Sequence, residues 1–210
     1  MLIKYKTIDY YQCFQDMFER LLENERLIYE FLLNFDGVQI KEVQEVGQKM
    51  YLKNQEAYLA LLKDLDNDFI PPMDREDIHD LAHRILGLHQ AIQAISSQVY
   101  MYRVKDMPRA STSLARESHQ IIQDLVGTFK KFQDFGRNDY LKERIGKIYS
   151  QLDPWEDRYI HFIHQQFSFR EDLDPRKVFG WVEFARAYKK AIDKAKDLVF
   201  IMERILLKYH

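Results

Sequence analysis

Apolar and polar residues alternate along this chain at helical spacing almost from end to end. Tyr10, Phe14, Met17, Leu21, Ile28 and Leu32 recur at steps of three, four or seven, which gathers them into one apolar stripe on a helix. The pattern predicts a first helix from about Ile8 to about Asn34. Asp36-Gly37 ends it, with Gly37 suited to a left-handed position past the last turn. A second helix, from about Val38 to Asn67, carries Val43, Val46, Met50, Ala57, Leu61 and Leu65. The third, from Asp74 to about Arg103, has the cleanest pattern. Ile78, Leu81, Ile85, Leu88, Ile92, Ile95, Val99 and Tyr102 alternate steps of three and four without a miss, a coiled-coil-like seam.

The same arrangement follows in the second half. Lys105 to Ser113 has a proline, small residues and weak periodicity, and is the expected boundary. A fourth helix runs from there to about Phe135 on Leu114, Ile121, Leu125, Phe129 and Phe132. Gly136 to Asp139 is the expected turn. The fifth helix, to about Phe167, carries Leu141, Ile145, Ile148, Leu152, Trp155, Tyr159 and Phe162, with a kink or break expected at Pro154. After Arg170 to Pro175 comes the sixth, striped by Trp181, Ala185, Tyr188, Ile192, Ala195, Val199, Met202, Leu206 and Tyr209. The order helix, helix, link, long helix is thus given twice. It divides the chain into residues 1–104 and 105–210, with a single elongated unit as the alternative.

Seven glycines and five prolines in 210 residues leave few tight turns and little punctuation for strands. The fold class expected is all-α, with six long helices. Lys plus Arg total 31 against 33 for Asp plus Glu. That balance offers no basic face for nucleic acid. One cysteine, Cys13, excludes an internal disulfide framework and fits a reducing compartment. No apolar run approaches the ~18 residues of a membrane span, and the start lacks a signal-peptide core. A cytoplasmic protein is expected.

Between the second and third helices lies Phe69-Ile70-Pro71-Pro72-Met73-Asp74-Arg75-Glu76-Asp77-Ile78. The paired prolines lack amide donors and push Phe69 to Pro72 into extended geometry. Asp74 is expected to cap the third helix, its carboxylate accepting first-turn amides, with Glu76 and Asp77 at the positive end of the dipole. This stretch, with Asp68 before it, resembles the link of the PhoU-like family, and within it the phosphate-transport-regulator branch that accompanies Pit-type phosphate permeases. Asp174-Pro175, Trp181, Glu183, Asp193, Asp197 and the closing Ile205-Leu206-Leu207-Lys208-Tyr209 are similar to that family's last helix.

The resemblance implies two tandem three-helix bundles and a regulatory or accessory role in phosphate uptake, not catalysis. The implied partner is a membrane phosphate permease or its signalling machinery on the cytoplasmic side. The protein would then be peripheral to the inner membrane through that partner; a homodimer is left open. The resemblance also implies carboxylate pairs four residues apart that hold iron or a similar metal. The first half departs from this: it has Tyr51, Lys53 and Gln55 on the second helix and Leu86, Gly87 and Gln90 on the third. The second half keeps Asp153 and Asp157 on the fifth helix and Asp193 and Asp197 on the sixth. These four are the candidate ligands for iron or another divalent metal. Carboxylates at that spacing share a helix face and suit a hard cation. Lys189 and Lys196, four before and three after Asp193, favour ordinary surface ion pairs instead.

His79 and His83 share a helix face, and Glu76 precedes His79 by three, but both histidines point away from the apolar seam. His161 and His164 read as helix-surface or interface residues, and Cys13 as packing. No phosphate-cradling loop, nucleophile elbow or zinc-protease motif occurs. Tyr10, Tyr11, Phe14, Tyr100 and Tyr102 cannot all be core, so some aromatic surface is expected for a protein partner. Two other readings remain: a metal-carboxylate bundle, as store or enzyme, and a structural helical adaptor unrelated to phosphate. The former usually needs Glu-x-x-His pairs on two helices facing the core.

Overall fold

In a computed structural model, the described residues are 9–35, 37, 39–132, 138–168 and 174–209. They form six helices: α1 (Tyr10–Leu33), α2 (Ile40–Asn67), α3 (Arg75–Met101), α4 (Arg109–Phe129), α5 (Asn138–Gln166) and α6 (Pro175–Lys208). No strand occurs among the described residues. α1, α2 and α3 pack on one another, as do α4, α5 and α6. The two three-helix bundles meet along two seams, α3 against α6 and α1 against α4.

The predicted stripes are the buried faces. Ile78, Leu81, Ile85, Leu88, Ile92, Ile95 and Val99 of α3 are all buried, and so are Trp181, Ala185, Tyr188, Ile192, Ala195, Val199, Met202 and Leu206 of α6. α3 buries more than its seam because it is covered from two sides, by its own bundle and by α6. Ala82 and Ala91 are therefore buried as well. The two helices run antiparallel. Asp77, in the first turn of α3, meets Arg204 near the end of α6. At the other end the Tyr102 and Phe179 rings meet edge to face at 5.2 Å. Gly180 fits beside Val104 because a methyl group there would come to 3.0 Å from its side chain. The α1–α4 seam is aromatic, with Phe129 lying 4.5 Å from Phe18 and 6.0 Å from Phe14 between ring centroids. Each such pair adds about 1 kcal/mol beyond the area it buries.

Several local expectations give way. No described glycine has a positive φ, so Gly37 is not a left-handed cap. That conformation falls to Arg103 (φ 51°), just past α3. Its amide donates to the Tyr100 carbonyl and that of Val104 to the Val99 carbonyl, both at 3.1 Å. This pair of hydrogen bonds closes the helix, and buried Val104 supplies its apolar residue. Asp74 caps α3 with its backbone carbonyl, which accepts from the amides of Asp77 and Ile78; its side chain makes no cap bond. α5 continues through Pro154 without a break, and α4 begins at Arg109, inside the expected boundary stretch. Asp174 caps α6 by accepting from the Arg176 amide at 2.9 Å, with Pro175 in the first turn. The turn at Gly136-Arg137 and the stretch Arg170 to Leu173 lie outside the described residues.

Candidate functional site

The link that joins α2 to α3 ends in a polar clamp on α6. Asp77 is buried. Its carboxylate accepts from Arg204 at 2.9 Å, from Lys208 at 2.7 Å and from the Tyr209 hydroxyl at 3.1 Å. Lys208 also pairs with Asp74 at 2.5 Å, and these two carboxylates hold its ammonium pKa well above the usual lysine range. Tyr209 in turn accepts from the Asp74 amide at 2.6 Å. Burying a carboxylate among three donors fixes the start of α3 against the end of α6 far more firmly than an exposed pair would. The acids of the link thus hold the two bundles together, and their cations come from residues more than a hundred positions away.

Above the clamp the link is pinned from below and bare on top. Arg75 donates to the carbonyls of Leu65 and Asp68 at the end of α2. Asp68 accepts from the Ile70 amide at 3.2 Å and from the buried Tyr10 hydroxyl at 2.9 Å. Met73 is buried. Phe69 and Ile70, by contrast, are 95% and 83% exposed.

The first bundle encloses a neutral polar network. His89 of α3 is fully buried between Asn54 of α2 and Asn24 of α1. The Asn54 amide donates to His89 Nδ1 at 2.7 Å and to the Met17 carbonyl at 2.8 Å. The Asn24 side-chain amide lies 3.1 Å from His89 Nε2 and donates to Gln93 at 3.2 Å. Gln93 donates on to the Gln44 carbonyl, and Arg20 to Asn54. Burial, helped by the nearby Arg20 charge, pushes the His89 pKa down to about 3, so the ring is neutral. The network explains Gly47. A methyl group there would come within 2.3 Å of the Gln93 amide oxygen and 2.4 Å of the Asn24 one.

A second buried group lies between the bundles. Glu25 of α1 is hydrogen-bonded to His119 of α4, whose ring stacks on Tyr29 at 4.4 Å. Burial drives the Glu25 carboxyl up, and the bond from His119 only partly offsets it. Burial also raises the Tyr188 hydroxyl, with the Glu25 charge adding to it. In the second bundle Asp124 accepts from Gln151 at 2.9 Å, from Lys147 at 3.1 Å and from Gln120 at 3.2 Å. Burial opposes its charge, but these donors outweigh burial and hold the carboxyl below its usual range.

The four aspartates singled out as metal candidates are not gathered. Asp153 and Asp157 are exposed on α5. On α6, Asp193 pairs with Lys189 at 2.5 Å, and Lys189 also reaches Glu156. Asp197 pairs with Arg84 of α3 at 3.3 Å and with Lys194 at 3.7 Å. An ammonium or guanidinium thus lies against Asp193 and Asp197, where a cation would otherwise sit. Among the described residues, no three or more His, Cys, Asp or Glu side chains lie together so as to hold a metal ion. His79 and His83 are exposed, stacked 6.0 Å apart, with Tyr58 bonded to His79 at 3.2 Å. Tyr10 and Phe14 are core, whereas Tyr100 is 45% exposed.

Asn24 and Asn54 sit at apolar positions of their stripes, whereas His89 and Gln93 lie beside the α3 seam next to Leu88 and Ile92, so the apolar pattern alone does not single them out. On α2, Gly47, Asn54 and Leu61 follow one another at steps of seven, all buried. A glycine and an asparagine in register with a leucine were the available signal.

Fold and sites together define a class: an all-α scaffold of paired three-helix bundles whose polar chemistry holds helices together. Neither protein-family models nor curated proteins give a match to this sequence. Solved structures do. A PhoU-like protein from Shewanella oneidensis MR-1 superposes with a TM-score of 0.81 at 13% identity, over 94% of this chain and 99% of that one. A candidate PhoU-like phosphate regulatory protein from the same organism superposes at 0.75 and 14% identity, over 95% and 100%. The chain has the PhoU-like fold.

Proposed function

We propose that this protein is a PhoU-like accessory of phosphate transport that works by binding, without catalysing a reaction. Its partner is a phosphate permease or the associated signalling machinery at the cytoplasmic face of the membrane. The observation that carries the reading is the end-to-end likeness to two PhoU-like structures, one of them named for phosphate regulation. The link motif, Asp68 through Ile78, points the same way.

Three features support a binding role. No helix among the described residues is long and apolar enough to cross a membrane, so contact with a permease is made from outside the bilayer. Burial pushes the Cys13 thiol up, which suppresses the reactive thiolate. His89 is sealed in a neutral network and cannot serve as a proton carrier near neutrality. The test is affinity capture of the tagged full-length protein from detergent-solubilised membranes of its own cells, with and without added phosphate. A phosphate permease or its sensor should be recovered, in an amount that changes with phosphate. Recovery of neither under either condition would overturn the reading.

A further inference from the structure

Two large apolar side chains, Phe69 and Ile70, stand almost wholly in solvent at 95% and 83% exposure. Single exposed apolar residues are ordinary, but adjacent ones this bare on a fixed backbone are not. The backbone here is fixed four ways. Pro71 and Pro72 restrict it from one side. Asp68 holds the Ile70 amide, Arg75 ties the Leu65 and Asp68 carbonyls, and buried Met73 anchors the segment to the core. Holding such a tip rigid leaves little ordering entropy to be lost on docking. The pair borders an open hollow of about 740 Å³ that also includes Asp74, Glu76 and Tyr209.

The surroundings specify the partner. The hollows beside the tip are lined by Asp66, Asp74, Glu76 and Asp80 against the Arg75 guanidinium, with Lys208 beyond it. Arg75 is turned toward the α2 carbonyls, and Lys208 is held by Asp74 and Asp77. Asp66 and Glu76 share a neighbouring hollow with His79, and no ion pair to either occurs among the described residues. The tip is therefore an apolar plug in an acidic collar. An anionic lipid surface would repel the collar. A protein pocket with a basic rim would attract it. Cytoplasmic loops of membrane proteins carry an excess of Lys and Arg, which is the rim this collar complements.

We infer that Phe69 and Ile70 form a preformed plug that inserts into an apolar pocket rimmed by Lys and Arg on the cytoplasmic loops of a membrane-embedded partner. This rests on the permease-binding reading and names the surface that would serve it. The test uses full-length wild type and Phe69→Ser/Ile70→Ser in the capture from solubilised membranes, with thermal unfolding of both. Because both side chains are exposed, the variant should unfold within a degree or two of wild type. It should lose capture at least ~30-fold. Asp66→Asn/Glu76→Gln should weaken capture about tenfold at low salt and much less at high salt. Equal capture by wild type and the serine variant overturns the plug and leaves the regulator reading standing. Capture of no membrane protein by wild type overturns both. Plug-dependent binding of wild type to protein-free vesicles of phosphatidylglycerol and phosphatidylethanolamine overturns the protein pocket in favour of lipid.

Discussion

Glu25 of α1 and His119 of α4 share a hydrogen bond inside the interface between the two bundles, 94 positions apart in the chain. Glu25 is 1% exposed, and its second oxygen has no partner. The Tyr188 hydroxyl of α6 is buried and likewise unbonded. The interface therefore contains an ionisable carboxyl whose charge is only partly compensated.

That gives a first prediction. Burial raises the Glu25 pKa above its unfolded value, so the folded state holds the proton more tightly. The stabilisation is full below the ordinary carboxylate range and is lost as pH rises through the raised value. Glu25→Gln keeps the shape and removes the ionisation. Urea unfolding between about pH 5 and 8 should show the variant gaining on wild type as pH rises. His119 opposite, and Tyr29 and Tyr188 around it, are the other groups facing this site. Parallel pH profiles for the two proteins would rule out the effect.

His89 has the opposite sign. Its pKa falls from 6.5 to about 3 on folding. The unfolded chain takes up the proton first, so the contribution is present above about 6.5 and is lost as pH falls toward 3. The loss is on the order of a few kcal/mol across that window. His89→Gln should flatten this acid limb and cost about 2 kcal/mol at pH 7 by leaving Asn54 or Asn24 short of a partner. Proton NMR gives a direct check, since the His89 ring signals should not titrate between pH 7 and about 4.

Glycine substitutions separate packing from propensity. Gly47→Ala drives a methyl group into the Asn24 and Gln93 amide oxygens. The Gln93 oxygen is held by the Asn24 amide, and Asn24 is itself fixed through its Nδ2, so the change should destabilise by about 1–3 kcal/mol. Gly146 also lies inside a helix but has nothing near the position of an added Cβ. Gly146→Ala should stabilise by up to about 1 kcal/mol. Thermal unfolding of the two variants should move in opposite directions.

The ion pairs of Asp193 and Asp197 make a prediction about metal. If those carboxylates serve only Lys189, Arg84 and Lys194, adding manganese or ferrous ion in excess should leave the unfolding temperature unchanged. Asp193→Asn should then cost less than about 1 kcal/mol, as for an exposed pair. A metal-dependent rise in unfolding temperature that Asp193→Asn or Asp197→Asn abolishes would restore the four-aspartate site.

The sequence by itself determined the helices and their buried faces. Ile78 to Val99 and Trp181 to Leu206 can be read as core because helical period and apolar side chains leave one way to hide them from water. It also marked the link, where two adjacent prolines remove two amide donors and favour extended backbone before them. Tertiary structure decided what the polar residues do. Asp77 looked like a first-turn acid until Arg204 and Lys208 arrived from the far end of α6. Asn54 and His89 carry no signal of their partnership within their own helices; the packing of α1, α2 and α3 brings Asn24 beside His89 and His89 beside Asn54. Asp74 gave its carboxylate to Lys208 in place of the helix amides it was expected to cap. Apolar burial follows from a pattern within one helix. A buried charge or amide is tolerable only with a specific partner, and that partner is set by which helices meet.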